Sequence, residues 1–208
     1  PPLPPHPHPP LPQRNPDSPA AAALPLGAYG ALALEAVVVG ITGPSYALHP
    51  AEDAALQDRL AATAGRPVVL AARGIARALA ALGRSRLLLF SPYPGWLTER
   101  AERYWREAGL DLVESYKVSD SFRAYELTPE EVADGLARLA PPADSAVLLS
   151  GTGMPTLDAM EWMRERIGVP MLSSNLACAF AVSEALGLPA GAAMQACCPA
   201  LAERLPGG

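Results

Sequence analysis

Two short segments of the chain combine threonine and glycine in a way that suits anion binding. They are Gly40-Ile41-Thr42-Gly43 and Gly151-Thr152-Gly153, and each follows an apolar run and precedes a helical pattern. A Thr-Gly turn between a strand and a helix presents free backbone N–H groups and a hydroxyl, and the aligned peptide dipoles add partial positive charge. Two such loops suit a small dicarboxylate better than a nucleotide. The alternative is that both are ordinary strand-to-helix turns, since threonine and glycine also cap helices that bind nothing.

Few side chains near these loops could transfer a proton. His49 follows the first loop, and its ordinary pKa suits acid–base chemistry near neutrality. It stands before Pro50, however, where it also fits the cap of the helix that follows. Cys178 could be a reactive thiol, although a small buried hydrophobe is the usual state of such a cysteine. Asp158 is expected to pair with the amino-terminal dipole of its helix.

Apolar runs and amphipathic helical patterns alternate after residue 35. The runs predict strands at 36–39, 67–70, 86–90, 112–116, 146–149 and 169–172, and the helical patterns cover 53–64, 75–82, 97–108, 128–139, 157–167 and 176–186. Thr128-Pro129-Glu130-Glu131 carries an N-cap, a proline at the first helical position and acids in the first turn. Apolar strands joined by helices of this length predict a parallel sheet covered on both faces.

The chain also contains an internal duplication. Landmarks of the same kind recur 103 to 110 residues apart, from Gly65 to Gly168 and from Ile41 to Gly151. We therefore predict an α/β fold of two pseudo-symmetric, doubly wound parallel-sheet halves with a ligand cleft between them. The first half is predicted to cover about 36–90 plus the C-terminal segment, and the second about 91–187. The two Thr-Gly loops should then face each other across the cleft.

Residues 1–28 differ in composition from the rest. They are rich in proline and alanine, so we predict a disordered segment before an α/β unit at 29–208. An aberrant start of the chain is an alternative explanation. His6 and His8 lie between prolines in this segment, but two histidines without further ligands do not define a metal site. No metal and no cofactor is predicted.

Charge and hydropathy limit the partners and the location. The formal net charge is −5 and no basic stripe is present, which argues against nucleic acid. No apolar run approaches the roughly 18 residues that a membrane helix needs, and no export signal precedes the body. Cys178, Cys197 and Cys198 do not form a disulfide framework, so a cytoplasmic setting is expected. The sequence does not determine whether the protein forms a homo-oligomer.

Several motifs resemble one known group of enzymes. Leu148 to Met160 reads LLSGTGMPTLDAM, Gly168 to Asn175 reads GVPMLSSN, and Gly40 to Tyr46 reads GITGPSY. These stretches, together with RLLLFSPY at Arg86 to Tyr93, resemble maleate isomerases and arylmalonate decarboxylases of the aspartate/glutamate racemase superfamily. The resemblance covers roughly Ala36 to Gly187.

The resemblance implies a site and also marks where the chain departs from the family. In that family two cysteines face each other across the substrate α-carbon; the matching positions here are Ile41 and Gly151, and neither can transfer a proton. A substrate-binding asparagine of the family's first strand has no counterpart in residues 1–28. The carboxylate-binding residues implied by the resemblance are the side chains of Thr42, Ser45, Thr152 and Tyr93 and the backbone N–H groups of Gly43 and Gly153. A packing role is the alternative for Tyr93.

These observations leave three hypotheses. The first is an enzyme that isomerises or decarboxylates a small dicarboxylate through an enediolate-type intermediate, without either usual cysteine; loop donors would stabilise the developing negative charge. The second is a non-catalytic carboxylate-binding relative, such as a sensor or an inactive subunit. In the third, the natural start differs and the chain lacks a functional first strand.

Overall fold

The computed structural model describes residues 32–207, and this part is an α/β structure. The strands are β1 (Val37–Val39), β2 (Val68–Leu70), β3 (Arg86–Ser91), β4 (Asp111–Lys117), β5 (Ser145–Leu149) and β6 (Met171–Ser173). The helices are α1 (Pro50–Ala64), α2 (Ala71–Ala81), α3 (Gly95–Glu107), α4 (Pro129–Leu136), α5 (Leu157–Ile167), α6 (Ser174–Leu186), α7 (Ala192–Cys197) and α8 (Pro199–Ala202). A 3₁₀ helix at Gly43–Ala47 lies between β1 and α1. Residues 1–31, including His6 and His8, lie outside the described part.

The six predicted strands and six predicted helices are all present. Their ends differ by a few residues because capping depends on local side chains. Thr128 caps α4 by accepting a hydrogen bond from the backbone N–H of Glu131, and the Glu131 carboxylate accepts one from the N–H of Thr128. The backbone N–H of His49 donates to Glu52 in the same way, so His49 is the cap of α1. The 3₁₀ helix and the C-terminal helices α7 and α8 were not predicted.

The strands form two parallel sheets, which confirms the predicted fold class. One sheet contains β1 and β2, and the other has the order β4-β3-β5-β6. All four strand pairings are parallel. Every residue of β5 and β6 is buried, because helices cover both faces of this sheet.

The division between the halves differs from the prediction in two places. Strand β3 was assigned to the first half, but it pairs with β4 and β5 in the four-stranded sheet. The C-terminal segment was also assigned to the first half, yet it packs on α5, where Arg164 donates to the carbonyl of Ala196. Both assignments depend on packing between distant segments, which the periodicity of the sequence does not encode.

The duplication is visible in the backbone. Gly65 ends α1 with φ 64°, and Gly168 ends α5 with φ 68°, so both helices end on a left-handed residue. The equivalent helices α2 and α6 pack against each other and join the two sheets. A Cβ atom on Gly74 would lie 3.2 Å from the carbonyl oxygen of Ala177, so the small residue permits the close approach. Arg77 and Glu184 form an ion pair across the same interface, with an N–O distance of 2.6 Å.

In the described part of the chain, the hydrophobic side chains form one large core and one small one. The large core lies around the four-stranded sheet and includes Phe90, Trp105 and Phe180. The small core contains Leu60, Val68 and Leu70 beneath the two-stranded sheet. Among residues 32–207, no helix is long and apolar enough to span a membrane. The same residues contain no group of three or more His, Cys, Asp or Glu side chains that could hold a metal ion.

Candidate active site

The first Thr-Gly loop lies between β1 and the 3₁₀ helix, and its hydroxyl points toward the second sheet. Thr42 is 1% exposed, and its Oγ1 donates to Oγ of Ser174 over 3.1 Å. Ser45 is buried in the 3₁₀ helix, and Gly43 is the first residue of that helix. The backbone amides of this short helix are therefore oriented toward the end of β1.

The second Thr-Gly loop follows β5 and directly contacts the first. The Oγ1 of Thr152 donates to the carbonyl oxygen of Gly40 over 2.7 Å. The backbone N–H of Gly151 donates to Oγ of Ser174 over 3.0 Å. The two loops thus meet at the carboxyl ends of β1 and β5, where ligands collect in open α/β sheets.

Ser174 connects the two loops, and the sequence interpretation did not identify it as a site residue. It is the first residue of α6, is fully buried, and accepts hydrogen bonds from both Thr42 and Gly151. Its neighbour Asn175 donates from Nδ2 to the carbonyl of Thr152 over 3.0 Å. The sequence does contain a feature that could have identified Ser174. Ser173-Ser174-Asn175 lies at a strand-to-helix junction, which is the same setting as the Thr-Gly loops.

Tyr93 lies beneath the meeting point of the loops. Burial raises its pKa from 10.0 to about 12, and the nearby hydroxyls of Ser150 and Thr42 oppose the rise. Ser150 also forms a 2.7 Å hydrogen bond with the hydroxyl of Tyr46. The hydroxyls of Tyr93, Ser150 and Tyr46 therefore form one buried polar group next to Thr42.

The two positions that match the family's cysteines have opposite environments. Ile41 lies on the outside of its loop with 55% of its surface exposed. Gly151 is buried with φ 100°. A Cβ atom at residue 151 would lie 3.2 Å from the Tyr93 hydroxyl oxygen and 3.1 Å from Cγ of Pro92. A side chain at residue 151 would therefore contact Tyr93 and Pro92 tightly, and these neighbours would have to move by a few tenths of an ångström.

Two aromatic residues from the segment between β4 and α4 cover the site. The Phe122 ring stacks on Tyr93 with centroids 6.2 Å apart. The Tyr125 ring lies against Gly153, so close that a Cβ atom at residue 153 would overlap its Cε1 atom at 2.1 Å. Tyr125 is 75% exposed, so its outer face meets solvent.

A sequence profile of the arylmalonate decarboxylase family matches residues 17–197. The chain belongs to the arylmalonate decarboxylase family. The match begins inside the proline- and alanine-rich segment and extends beyond Gly187, so it is longer than the resemblance read from the motifs. The predicted relationship to maleate isomerases and arylmalonate decarboxylases is confirmed.

The relatives of this family member include maleate isomerases. The protein from Alcaligenes faecalis is 28% identical over 157 residues, covering 74% of this chain and 62% of that protein. The protein from Geobacillus stearothermophilus is 25% identical over 156 residues, covering 73% and 61% respectively. The chain therefore spans less than two thirds of the length of these relatives.

Solved structures share the fold. Nocardia farcinica maleate cis-trans isomerase bound to TRIS has a TM-score of 0.80 at 20% identity, covering 88% of this chain and 77% of that one. A crystal structure of arylmalonate decarboxylase has a TM-score of 0.71 at 24% identity, covering 83% and 76%. Another structure of the N. farcinica enzyme, a mutant, contains a covalently bound succinylcysteine intermediate; its TM-score is 0.79 at 20% identity, with coverage of 88% and 78%.

The other residues that the sequence suggested for proton transfer lie away from the two Thr-Gly loops. His49 donates or accepts at Nδ1 with Glu107 over 2.8 Å, and its side chain is 65% exposed. Cys178 is buried against Gly74 in the α2–α6 interface, and burial raises its pKa from 9.0 to about 11. Cys197, the last residue of α7, donates to the carbonyl of Leu157 at the start of α5. Asp158 is exposed in the first turn of α5, as expected for a dipole partner.

Proposed function

We propose that the meeting point of the two loops binds a small dicarboxylate. The observation that carries this proposal is the convergence of Thr42, Gly151 and Ser174 at the amino end of α6, where donors and a helix dipole lie together. A carboxylate would replace the hydrogen bonds that these groups now make to one another. The hydroxyls of Ser45 and Thr152 and the amides of Gly43 and Gly153 are the further donors in this proposal.

Of the two activities in the family, we propose decarboxylation of a substituted malonate. When one carboxyl group leaves as CO₂, the electrons of the broken C–C bond stay on the remaining fragment as an enediolate. The reaction therefore needs donors for the remaining carboxylate and a proton for the α-carbon. The hydroxyls and amides at the loops would stabilise this charge as it develops, which is where such catalysis gains most.

Isomerisation of maleate through covalent addition has less support in this chain. Such addition needs a thiolate, but the positions that match the family's two cysteines are occupied here by Ile41 and Gly151. The three cysteines are all buried outside the loops. Burial raises the pKa of Cys178 and Cys198 to about 11, so both thiols stay protonated near neutrality.

The proposal is tested by turnover and binding measured together. Phenylmalonate, methylphenylmalonate and maleate are incubated with the protein, and the products are followed by proton NMR. We expect CO₂ release from the malonates and no fumarate from maleate. Binding of the inert diacid succinate is measured by calorimetry, and Ser174→Ala is expected to weaken it about 10- to 100-fold, as for loss of a hydrogen bond to a charged group.

Ser183→Ala is the matched control, because Ser183 lies on the same helix α6 but away from the loops. Equal weakening by both substitutions would contradict the proposed position of the carboxylate. Binding without any turnover would favour a carboxylate-binding relative that does not catalyse. That second function is supported by Ile41 and Gly151, which stand at the positions of the family's two cysteines and cannot transfer a proton.

A further inference from the structure

Decarboxylation leaves a carbanion that must be protonated, so the site needs an acid within reach of the α-carbon. His49 and the three cysteines do not meet this requirement, because His49 pairs with Glu107 at the surface and the cysteines are buried elsewhere. The hydroxyl group of Tyr93 does lie at the loops. It is 3.2 Å from the point where a side chain at residue 151 would begin.

We propose that Tyr93 is the proton donor of this protein and that its hydroxyl takes the place of the absent side chain at Gly151. This inference rests on the proposed decarboxylation. The phenol O–H bond breaks, the proton and the enediolate electron pair form the new C–H bond, and Tyr93 is left as a phenolate. The phenolate regains its proton from water after the product leaves, so the cycle needs no other reactant.

The surroundings of Tyr93 suit this role. Burial raises the pKa of Tyr93 to about 12, so the phenol keeps its proton near neutrality and can act as the acid. The α-carbon of a carboxylate enediolate is a far stronger base than a phenolate, so the transfer is downhill. The ring of Phe122 stacks on Tyr93 and covers it, which restricts competing protonation by water.

A chiral product provides the most direct test. Methylphenylmalonate is prochiral, so protonation by one fixed group yields one enantiomer of 2-phenylpropionate in excess, whereas protonation by water yields a racemate. We expect the unmodified protein to give an enantiomeric excess. Tyr93→Phe is expected to lower turnover about 10²-fold or more, or to give a racemic product. Its affinity for succinate should change by less than about tenfold, as for loss of one ordinary hydrogen bond.

Two further tyrosine variants complete the experiment. Tyr116→Phe is the matched control, because Tyr116 stacks on Phe90 in the four-stranded sheet and its variant should retain rate and enantiomeric excess. Tyr125→Phe tests the other phenol at the site, which lies against Gly153.

The outcomes separate the two proposals. Tyr93→Phe with unchanged rate and unchanged enantiomeric excess would overturn the role of Tyr93 and leave decarboxylation standing. Racemic product from Tyr125→Phe alone would also overturn it, in favour of Tyr125. No turnover of any malonate by the unmodified protein would refute the proposed function itself, and the role of Tyr93 with it.

Discussion

Gly151 offers the sharpest test of the geometry at the loops, because any side chain there must meet both a backbone and a packing restriction. Its φ of 100° lies outside the small left-handed region that L residues tolerate. A Cβ atom would also approach Cγ of Pro92 to 3.1 Å and the Tyr93 hydroxyl to 3.2 Å. We therefore expect Gly151→Ala to destabilise the protein strongly.

The magnitude follows from these two terms. Holding a non-glycine residue at such a φ costs about 1–3 kcal/mol, and forcing a methyl group into a filled space costs roughly 1–3 kcal/mol more. Together the two terms give about 2–6 kcal/mol, with a central value of about 4 kcal/mol. Gly65→Ala is the control, since Gly65 has φ 64° but nothing lies within 4 Å of its Cβ position. It should cost only about 1–2 kcal/mol.

Thermal and urea unfolding of the two variants measure the difference. A gap of about 2 kcal/mol corresponds to roughly 4–8 °C in Tm for a domain of this size. In a Tyr93→Phe background the cost of Gly151→Ala should fall, because the hydroxyl that a Cβ would meet is gone. Equal stability of Gly151→Ala and Gly65→Ala would refute the packing of Tyr93 against residue 151.

Three further predictions concern other parts of the structure. Gly153→Ala should shift the free energy of unfolding by less than about 0.5 kcal/mol, because the exposed ring of Tyr125 can move aside; a large loss of Tm would contradict a mobile ring. Burial raises the pKa of the Asp53 carboxyl. The protonated carboxyl therefore contributes stability that is fully present below the pKa of Asp53 in the unfolded chain, and this stability is lost as the pH rises through its pKa in the folded protein. The stability of Asp53→Asn relative to the unmodified protein should therefore increase from about pH 4 upward. Urea unfolding of both proteins at several pH values measures this, and a stability difference that does not change with pH would contradict the prediction. Arg77→Ala should cost no more than about 1 kcal/mol at low salt, since the ion pair with Glu184 is largely exposed; a loss of several kcal/mol in urea unfolding would show that the pair holds the two sheets together.

Local chemistry allowed most elements to be predicted. The strand at Val68–Leu70 and the helix at Leu157–Ile167 follow from apolar runs and 3.6-residue periodicity, which depend on neighbouring residues alone. The capping role of His49 was also predictable, because a residue before Pro50 at a helix start has few other backbone conformations. The membership of β3 in the four-stranded sheet could not be predicted, because hydrogen bonding between parallel strands joins residues that are far apart in sequence.

The candidate site shows the same limit. The sequence identified Thr42, Gly151 and Thr152, because each lies in a motif whose neighbours determine its chemistry. It did not identify Ser174, whose importance depends on contacts with residues 132 and 23 positions away. Nor did it identify Tyr125, whose contact with Gly153 depends on how the segment after β4 folds over the site.

The sequence by itself determined the alternation of strands and helices, the duplication, the family and the two Thr-Gly loops. These features depend on periodicity, capping and short motifs, all of which act over a few residues. Only the tertiary structure decided that the loops are joined through Ser174 and that Tyr93 occupies the space beside Gly151. The reason is physical: distances between side chains from different strands are set by sheet pairing and close packing, and no local pattern fixes them.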